Sequence, residues 1–302
     1  MTKYTINNLP KIRGEYIFDE PLKKHTWLNV GGNADVMFCP ADSDDLRNFI
    51  KNKPKEMPVF VLGGGSNILV RDGGIEGVTI KLKNKNFANI SIQDGCISCG
   101  CGLINSQLKK FLPQHNIGGL EFLCSIPGTI GGAFASNAGC FGKELKDVLI
   151  SALVMDGTGN IFTANTGDFN FAYRHSDFPQ DWIILEAKLK VFEQKADITE
   201  EIIRKNDEYR RTHQPQNIRT AGSTFKNPEG YRAWELIKNA GGDVLEFGGA
   251  RFSPQHYNFL QNDGSATARD IEKLTETIMQ NVFEQTGIRL EPEIKIIGKL
   301  KE

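Results

Sequence analysis

The spacing of apolar residues changes repeatedly along the chain, and each change predicts an element. Ala34–Cys39 reads as a strand ended by Pro40. Leu46, Phe49 and Ile50 then fall at helical spacing, predicting a helix capped by Asp42 or Ser43 and stopped near Lys53 by Pro54 and Pro58. Val59–Leu62 is a short apolar run of the kind found in buried strands. Residues 70–102 predict short strands broken at Arg71–Gly74 and Gln93–Gly95, followed by a helix from about Asn105 to Phe111. Leu149–Met155 and Ile161–Thr163 form a hairpin pattern around Asp156–Gly159, and Trp182–Phe192 a further strand. Asp197 and Glu200 are placed as a capping box opening a charged helix to about Thr212. Helices follow over Tyr231–Ala240 and Thr267–Thr286, the second capped by Thr267 with Asp270 and stopped by Gly287. A strand over Ile288–Ile297 closes the chain and points Glu291 and Glu293 the same way. Residues 1–20 read as a loosely attached lead-in with a short helical possibility.

Two stretches interrupt this pattern with glycine. Gly118–Gly142 reads GGLEFLCSIPGTIGGAFASNAGCFG, too rich in glycine for a normal helix or a smooth strand. Such backbone serves either tight turns or N–H groups brought against a ligand, and the stretch alone fits both. Gly63-Gly-Gly-Ser-Asn67 follows the apolar strand directly; by itself it fits an anion-binding nest or a plain turn. Neither a Walker loop nor G-x-G-x-x-G occurs: Gly63, Gly100 and Gly157 each open G-x-G, but Ile68, Asn105 and Phe162 stand five residues on.

Length and composition narrow the class. A chain of 302 residues exceeds one core and predicts two or three domains. Thirty-six basic against 37 acidic residues leave a charge of −1 and no basic stripe, which argues against nucleic acid as a partner. The start, MTKYTINNLPKIRGEY, has no apolar core of a signal, and no run long enough to span a bilayer occurs; the expectation is a cytoplasmic protein without membrane insertion. Six cysteines are then expected as thiols. Cys96, Cys99 and Cys101 lie on one strand where only the last two share a face, and no His completes a tetrahedral set, so no metal is expected.

The pairing of GGGSN at 63–67 with IPGTIGGAFASNAG at 126–139 resembles the vanillyl-alcohol-oxidase, or PCMH, type of FAD domain. With Tyr173-Arg-His-Ser-Asp-Phe178, Ala221-Gly-Ser-Thr-Phe-Lys-Asn-Pro228 and Leu290-Glu-Pro-Glu-Ile294, the chain resembles the MurB family of UDP-N-acetylenolpyruvoylglucosamine reductases from about residue 20 to 297. The resemblance implies an α+β fold: a two-lobed FAD-binding region (lobes 21–82 and 83–193) and a smaller α+β substrate-binding domain, 197–302. It implies non-covalent FAD, NADPH as co-substrate and a UDP-sugar whose enolpyruvyl ether is reduced to UDP-N-acetylmuramate. The other reading is another FAD-dependent oxidase or dehydrogenase of the superfamily, which has no reason to carry Ser223-Thr-Phe-Lys-Asn-Pro228. The short segment after Ala196 resembles the class lacking a tyrosine-bearing loop. His25 is a conceivable covalent flavin site, but the family binds FAD non-covalently.

Cofactor contacts are thus expected from Gly63, Gly64, Gly65, Ser66, Asn67, Ile126, Pro127, Gly128, Thr129, Gly131, Gly132, Ser136, Asn137 and Gly139. Hydride addition to the CH2 end of an enolpyruvate leaves negative charge at C2, spread into the carboxylate, so the site needs a cation and an acid. Arg174 is the cation, with a planar fork for a carboxylate. Ser223 matches the family's proton donor to C2, directly or as a relay. Glu293 matches the remaining active-site carboxylate, expected either protonated and donating to the enolate oxygen, which we favour, or paired with Arg174. Asn227 matches a substrate contact, Lys226 could meet a phosphate, and Arg211 and Gln214, with Arg210, suit the UDP pyrophosphate by charge.

Overall fold

The computed structural model describes residues 4–301, so that Met1–Lys3 of the expected lead-in fall outside it. Two compact units divide the chain. The first takes Met1–Ile17, Val36–Gly64 and Gly77–Arg210; the second takes Phe18–Asp35, Gly65–Glu76 and Arg211–Glu302. The chain passes from one unit to the other inside strands Glu15–Pro21, Asn33–Cys39 and Ile75–Ile80, within the GGGSN motif, and near the end of helix Ala196–His213.

The first unit is built on a five-stranded antiparallel sheet in the order Ile161–Asn165, Leu149–Met155, Ile183–Lys190, Cys96–Gly100, Ile90–Gln93. Cys99 and Cys101 lie in its core beside Leu108, Ile130 and Phe134, where burial pushes the Cys99 thiol up to about 12. A second cluster joins Phe38, Leu46, Phe49, Val78 and Ile80, and includes Tyr4 and Leu9. The lead-in is therefore docked rather than loose: a 3-10 turn at Ile6–Asn8 precedes strand Glu15–Pro21. Helix Ser43–Asn52 takes Asp42 as its cap, and strand Val59–Val61 runs parallel to Val78–Ile80.

Gly118–Gly142 does hold helix, in two pieces, Glu121–Cys124 and Ile130–Ala135, although its glycines argue against one. A Cβ on Gly131 would meet the Cys101 carbonyl oxygen and Cβ at 3.0 Å, so close packing selects glycine inside that helix.

The second unit packs helix Ala268–Thr286 on an antiparallel sheet of Arg219–Ser223, His256–Asn262, Ala250–Ser253 and Glu246–Phe247. Its helix carries the expected Thr267–Asp270 box and Gly287 at φ 73°. The other expected elements are trimmed. Helix 231–240 is regular only over Ala233–Ile237, and the charged helix starts at Ala196, inside which Asp197 is no cap. The closing strand shrinks to Lys295–Ile297, parallel to Ile68–Val70, because Pro292 has no N–H and makes only an isolated bridge with Phe225.

These units differ from the contiguous segments 21–82, 83–193 and 197–302. Phe18–Asp35 and Gly65–Glu76 join the C-terminal residues through specific bonds: Asn262 Nδ2 donates to Leu28 O (2.9 Å), and Arg71 pairs with Glu272 at 2.9 Å. Asp72 reaches across sequence to accept from the N–H groups of Ala268 and Arg269, both at 3.0 Å, satisfying first-turn donors a local cap leaves over. Asp72→Ala should therefore lower stability by about 1–2 kcal/mol, read as a lower urea midpoint with unchanged slope; an unchanged midpoint would contradict this role.

Candidate active site

In the first unit the two bare-backbone loops meet. A Cβ on Gly64 would stand 2.6 Å from Gly128 Cα, and one on Gly63 would stand 3.1 Å from Thr129 Oγ1. Glycine at 64 is thus a condition of the approach. The loops leave the N–H groups of Gly63, Gly64, Gly128 and Thr129 without a hydrogen-bond partner among the described residues. Donors of this kind on glycine-rich backbone fit the anionic pyrophosphate of a dinucleotide such as FAD.

The neighbouring glycines do other work. The N–H of Gly131 goes to Cys101 O (2.9 Å) and that of Gly132 to Thr129 Oγ1 (3.3 Å), so neither is a spare donor. Gly139 is required by hairpin Gly139–Glu144, where its Cβ would meet Lys143 O at 2.4 Å. Ser136 donates to Gly132 O at 3.0 Å, and Ile126 O accepts from Asn105 Nδ2 at 3.1 Å. Half-buried Pro127 brings no N–H. Asn137 is 0 % exposed, and its side-chain amide is bonded to Glu144, Ala172 O and Lys146 N–H.

Arg174 sits at the tip of a tight hairpin in which Ala172 and His175 exchange both backbone bonds, at φ 54°. Its Nη1 lies 3.4 Å from Glu144 Oε1 and its guanidinium 4.9 Å from the Tyr173 ring centre.

In the second unit, buried Asn258 clamps the segment after Ser223: its Oδ1 accepts from Phe225 N–H (2.9 Å), its Nδ2 donates to Phe225 O (2.8 Å), and its carbonyl accepts from Thr224 N–H (2.7 Å). The Thr224 carbonyl in turn accepts from Glu293 N–H at 2.8 Å, so Ser223 and Glu293 are brought together although 70 residues separate them in the chain (293 less 223). The Ser223 hydroxyl has no partner among the described residues. Asn67 Nδ2 donates to Glu293 O at 3.1 Å and the Asn67 backbone carbonyl accepts from Lys295 N–H at 3.1 Å, so side chain and backbone together fasten the Glu293 segment. Buried Gly65 lies at φ 66°, where a Cβ would strike His25 O, and Ser66 beside it is half-buried. His25 itself is bonded to Glu20 at 2.9 Å.

Lys226 pairs with Glu291 at 2.6 Å, so Glu291 and Glu293 do not act as a matched pair. Asn227 Oδ1 accepts from Ala233 N–H at 3.0 Å, leaving its amide nitrogen unbonded. Arg211 is exposed and Gln214 half-buried. Arg210 is held against the Cys140 thiol, its burial pulling its pKa down, so it does not share Arg211's setting.

Three residues of this geometry escaped sequence reasoning: Glu144, Asn258 and Lys81. Asn258, a polar residue within the apolar strand His256–Asn262, was the one detectable signal. Lys81 donates to the Gly63 carbonyl, polarising the same peptide's N–H of Gly64.

An α+β frame with unspent N–H donors on two bare loops defines an FAD-binding flavoprotein, and residues 34–165 match the FAD binding domain family. Residues 214–297 match the C-terminal domain of UDP-N-acetylenolpyruvoylglucosamine reductase. The chain is 45% identical over 293 residues to the UDP-N-acetylenolpyruvoylglucosamine reductase of Rickettsia akari, covering 96% of this chain and 98% of that one. It is 44% identical over 304 residues to that of Parvibaculum lavamentivorans, covering 100% and 97%. The crystal structure of UDP-N-acetylenolpyruvylglucosamine reductase from Thermus caldophilus superposes with TM-score 0.81 at 31% identity, covering 95% of this chain and 99% of that chain. The chain belongs to the UDP-N-acetylenolpyruvoylglucosamine reductase family and is an oxidoreductase.

Gly64→Ala should abolish retention of FAD, seen as loss of the visible flavin spectrum of the purified protein; a yellow Gly64→Ala protein would contradict the close approach. Desolvation pulls the Lys81 ammonium down from 10.5 to about 8. Because this folded value lies below the unfolded one, the charged amine costs stability below pH 8, and that cost is relieved as pH rises from 8 toward 10.5. Losing the charge also weakens polarisation of the Gly64 N–H, so FAD affinity of the apoprotein should fall as pH rises through about 8, and Lys81→Gln should bind more weakly and lack that inflection.

Proposed function

We propose that this protein reduces UDP-N-acetyl-3-O-(1-carboxyvinyl)-glucosamine to UDP-N-acetylmuramate with NADPH as reductant, in the cytoplasmic supply of peptidoglycan precursors. The N–H groups of Gly63, Gly64, Gly128 and Thr129 would hold FAD non-covalently, and FAD bound there would supply the hydride-carrying chemistry between NADPH and the vinyl carbon C3. Supporting the shared use of one binding place by NADPH and the sugar, the sequence carries no separate dinucleotide fingerprint.

The chain's own groups meet the charge this chemistry creates. Arg174 holds the substrate carboxylate with its fork and stabilises negative charge spreading from C2. Ser223 delivers the proton to C2; it is half-buried, and its hydroxyl, without a partner among the described residues, supports that role. Glu293 donates from its protonated form to the enolate oxygen, since an anion there would oppose the developing charge. Lys226, Asn227, Arg211 and Gln214 serve the UDP moiety, Lys226 exchanging Glu291 for a phosphate oxygen.

The observation that supports these roles is the Thr224 carbonyl bond to Glu293 N–H, which ties the segments that carry Ser223 and Glu293 to each other. Ser223→Ala should leave flavin bleaching by NADPH intact and slow anaerobic re-oxidation by the UDP-sugar roughly 10²–10³-fold. Loss of bleaching as well would show that Ser223 has another role. Glu293→Gln, which keeps an N–H donor, should retain more activity than Glu293→Ala; equal losses would count against a hydrogen-donating Glu293.

A further inference from the structure

Asn137 stands in the stretch read as a flavin loop, yet no part of it is exposed. What it does instead is tie three segments together. One amide proton goes to Glu144 Oε2 (2.9 Å), the other to the carbonyl of Ala172 (2.9 Å), and Oδ1 accepts from Lys146 N–H (3.0 Å). Ala172 is the first residue of the hairpin that carries Arg174 at its tip. Glu144 Oε1 is the oxygen facing Arg174 Nη1 at 3.4 Å, in side chains 17% and 20% exposed. The same amide therefore fixes both the backbone under Arg174 and the carboxylate beside its guanidinium.

The residue type is constrained on every side. Two donors and one acceptor are used at one position, which only an amide side chain provides, and glutamine is a methylene too long. Its φ of 44° is a left-handed conformation that asparagine tolerates better than most residues. Arg174 is itself left-handed at φ 54°, a conformation arginine resists, so the hairpin needs an outside hold to keep it. Charged and titratable groups face this cluster: Lys146 Nζ lies 3.0 Å from Glu144 Oε2, Asp147 accepts the N–H of Glu144, and Arg174 is flanked by the Tyr173 ring, with the Cys140 thiol near enough to feel its charge.

We propose, resting on the role given to Arg174 above, that Asn137 and Glu144 are positioning residues for it. Glu144 orients the guanidinium fork before the substrate carboxylate arrives, and Asn137 holds Glu144 and the hairpin in register. Preset orientation matters because a small misplacement of a charge-stabilising group costs rate at the chemical step rather than in flavin binding.

The test is half-reaction kinetics on the flavin-loaded protein: bleaching by NADPH, then anaerobic re-oxidation by the UDP-sugar. Glu144→Gln and Asn137→Asp should keep their flavin and bleach at near the parent rate, while re-oxidation slows roughly 10- to 100-fold. In Asn137→Asp the loss should recover partly as pH falls, because protonating the new carboxylate restores a donor toward Glu144. Glu144→Gln should add little further loss to Arg174→Lys, since both act through one guanidinium. Parent-like re-oxidation in both single variants, beside a slow Arg174→Lys, would overturn the positioning role alone. Equal loss in both half-reactions with falling flavin content and no recovery at low pH would reduce the pair to structural support and overturn it too. Parent-like re-oxidation by Arg174→Lys would remove the role of Arg174 and the proposal with it.

Discussion

The first unit depends on one contact between bare backbones. Gly64 can approach Gly128 only because neither carries a side chain: an added Cβ would lie 2.6 Å from Gly128 Cα, inside any tolerable separation. Next to that approach the N–H groups of Gly63, Gly64, Gly128 and Thr129 have no partner among the described residues. Half-exposed donors on bare backbone have physical sense as a receptor for an anion. The surrounding glycines serve the contact indirectly, Gly131 by packing on Cys101 and Gly139 by closing a hairpin.

The second unit works through side-chain amides. Asn258 fixes the segment after Ser223, the Thr224 carbonyl takes up Glu293 N–H, and Asn67 holds the Glu293 carbonyl. Each bond is modest, about 0.5–1.5 kcal/mol net, but the partners are buried or half-buried and alternatives to them are few. The result ties the Glu293 segment to the end of strand Arg219–Ser223, where Ser223 pairs with Phe259. Asn137 plays the corresponding part for Arg174 in the first unit. In all three places an amide rather than a carboxylate is used, which satisfies donors and acceptors together and adds no charge near groups whose charge matters.

Local signals in the sequence were read well where the physics is local. The cap and stop of Ala268–Thr286, the Asp42 cap and the Asp156 turn need only neighbours within a turn. The lead-in and the closing strand were misjudged, because Tyr4 and Leu9 dock on a core built from distant residues and because Pro292 breaks a ladder that periodicity alone continues. Asn137 and Asn67 sit in flavin-like motifs, and only the structure reveals that their amides are bonded to protein.

The sequence by itself determined most of the helices and strands and the clustering of glycine at residues 63–67 and 126–139, since these follow from side-chain type and short-range spacing, whereas Ser223 and Glu293 were marked by the family resemblance. The tertiary structure alone decided which glycine N–H groups find a partner among the described residues, that Gly65–Glu76 joins the C-terminal unit, and that Glu144 faces Arg174, Asn258 clamps Phe225 and Lys81 meets the Gly63 carbonyl. Those facts depend on hydrogen bonds between segments far apart in the chain, and no local pattern encodes which distant partner a polar group will find.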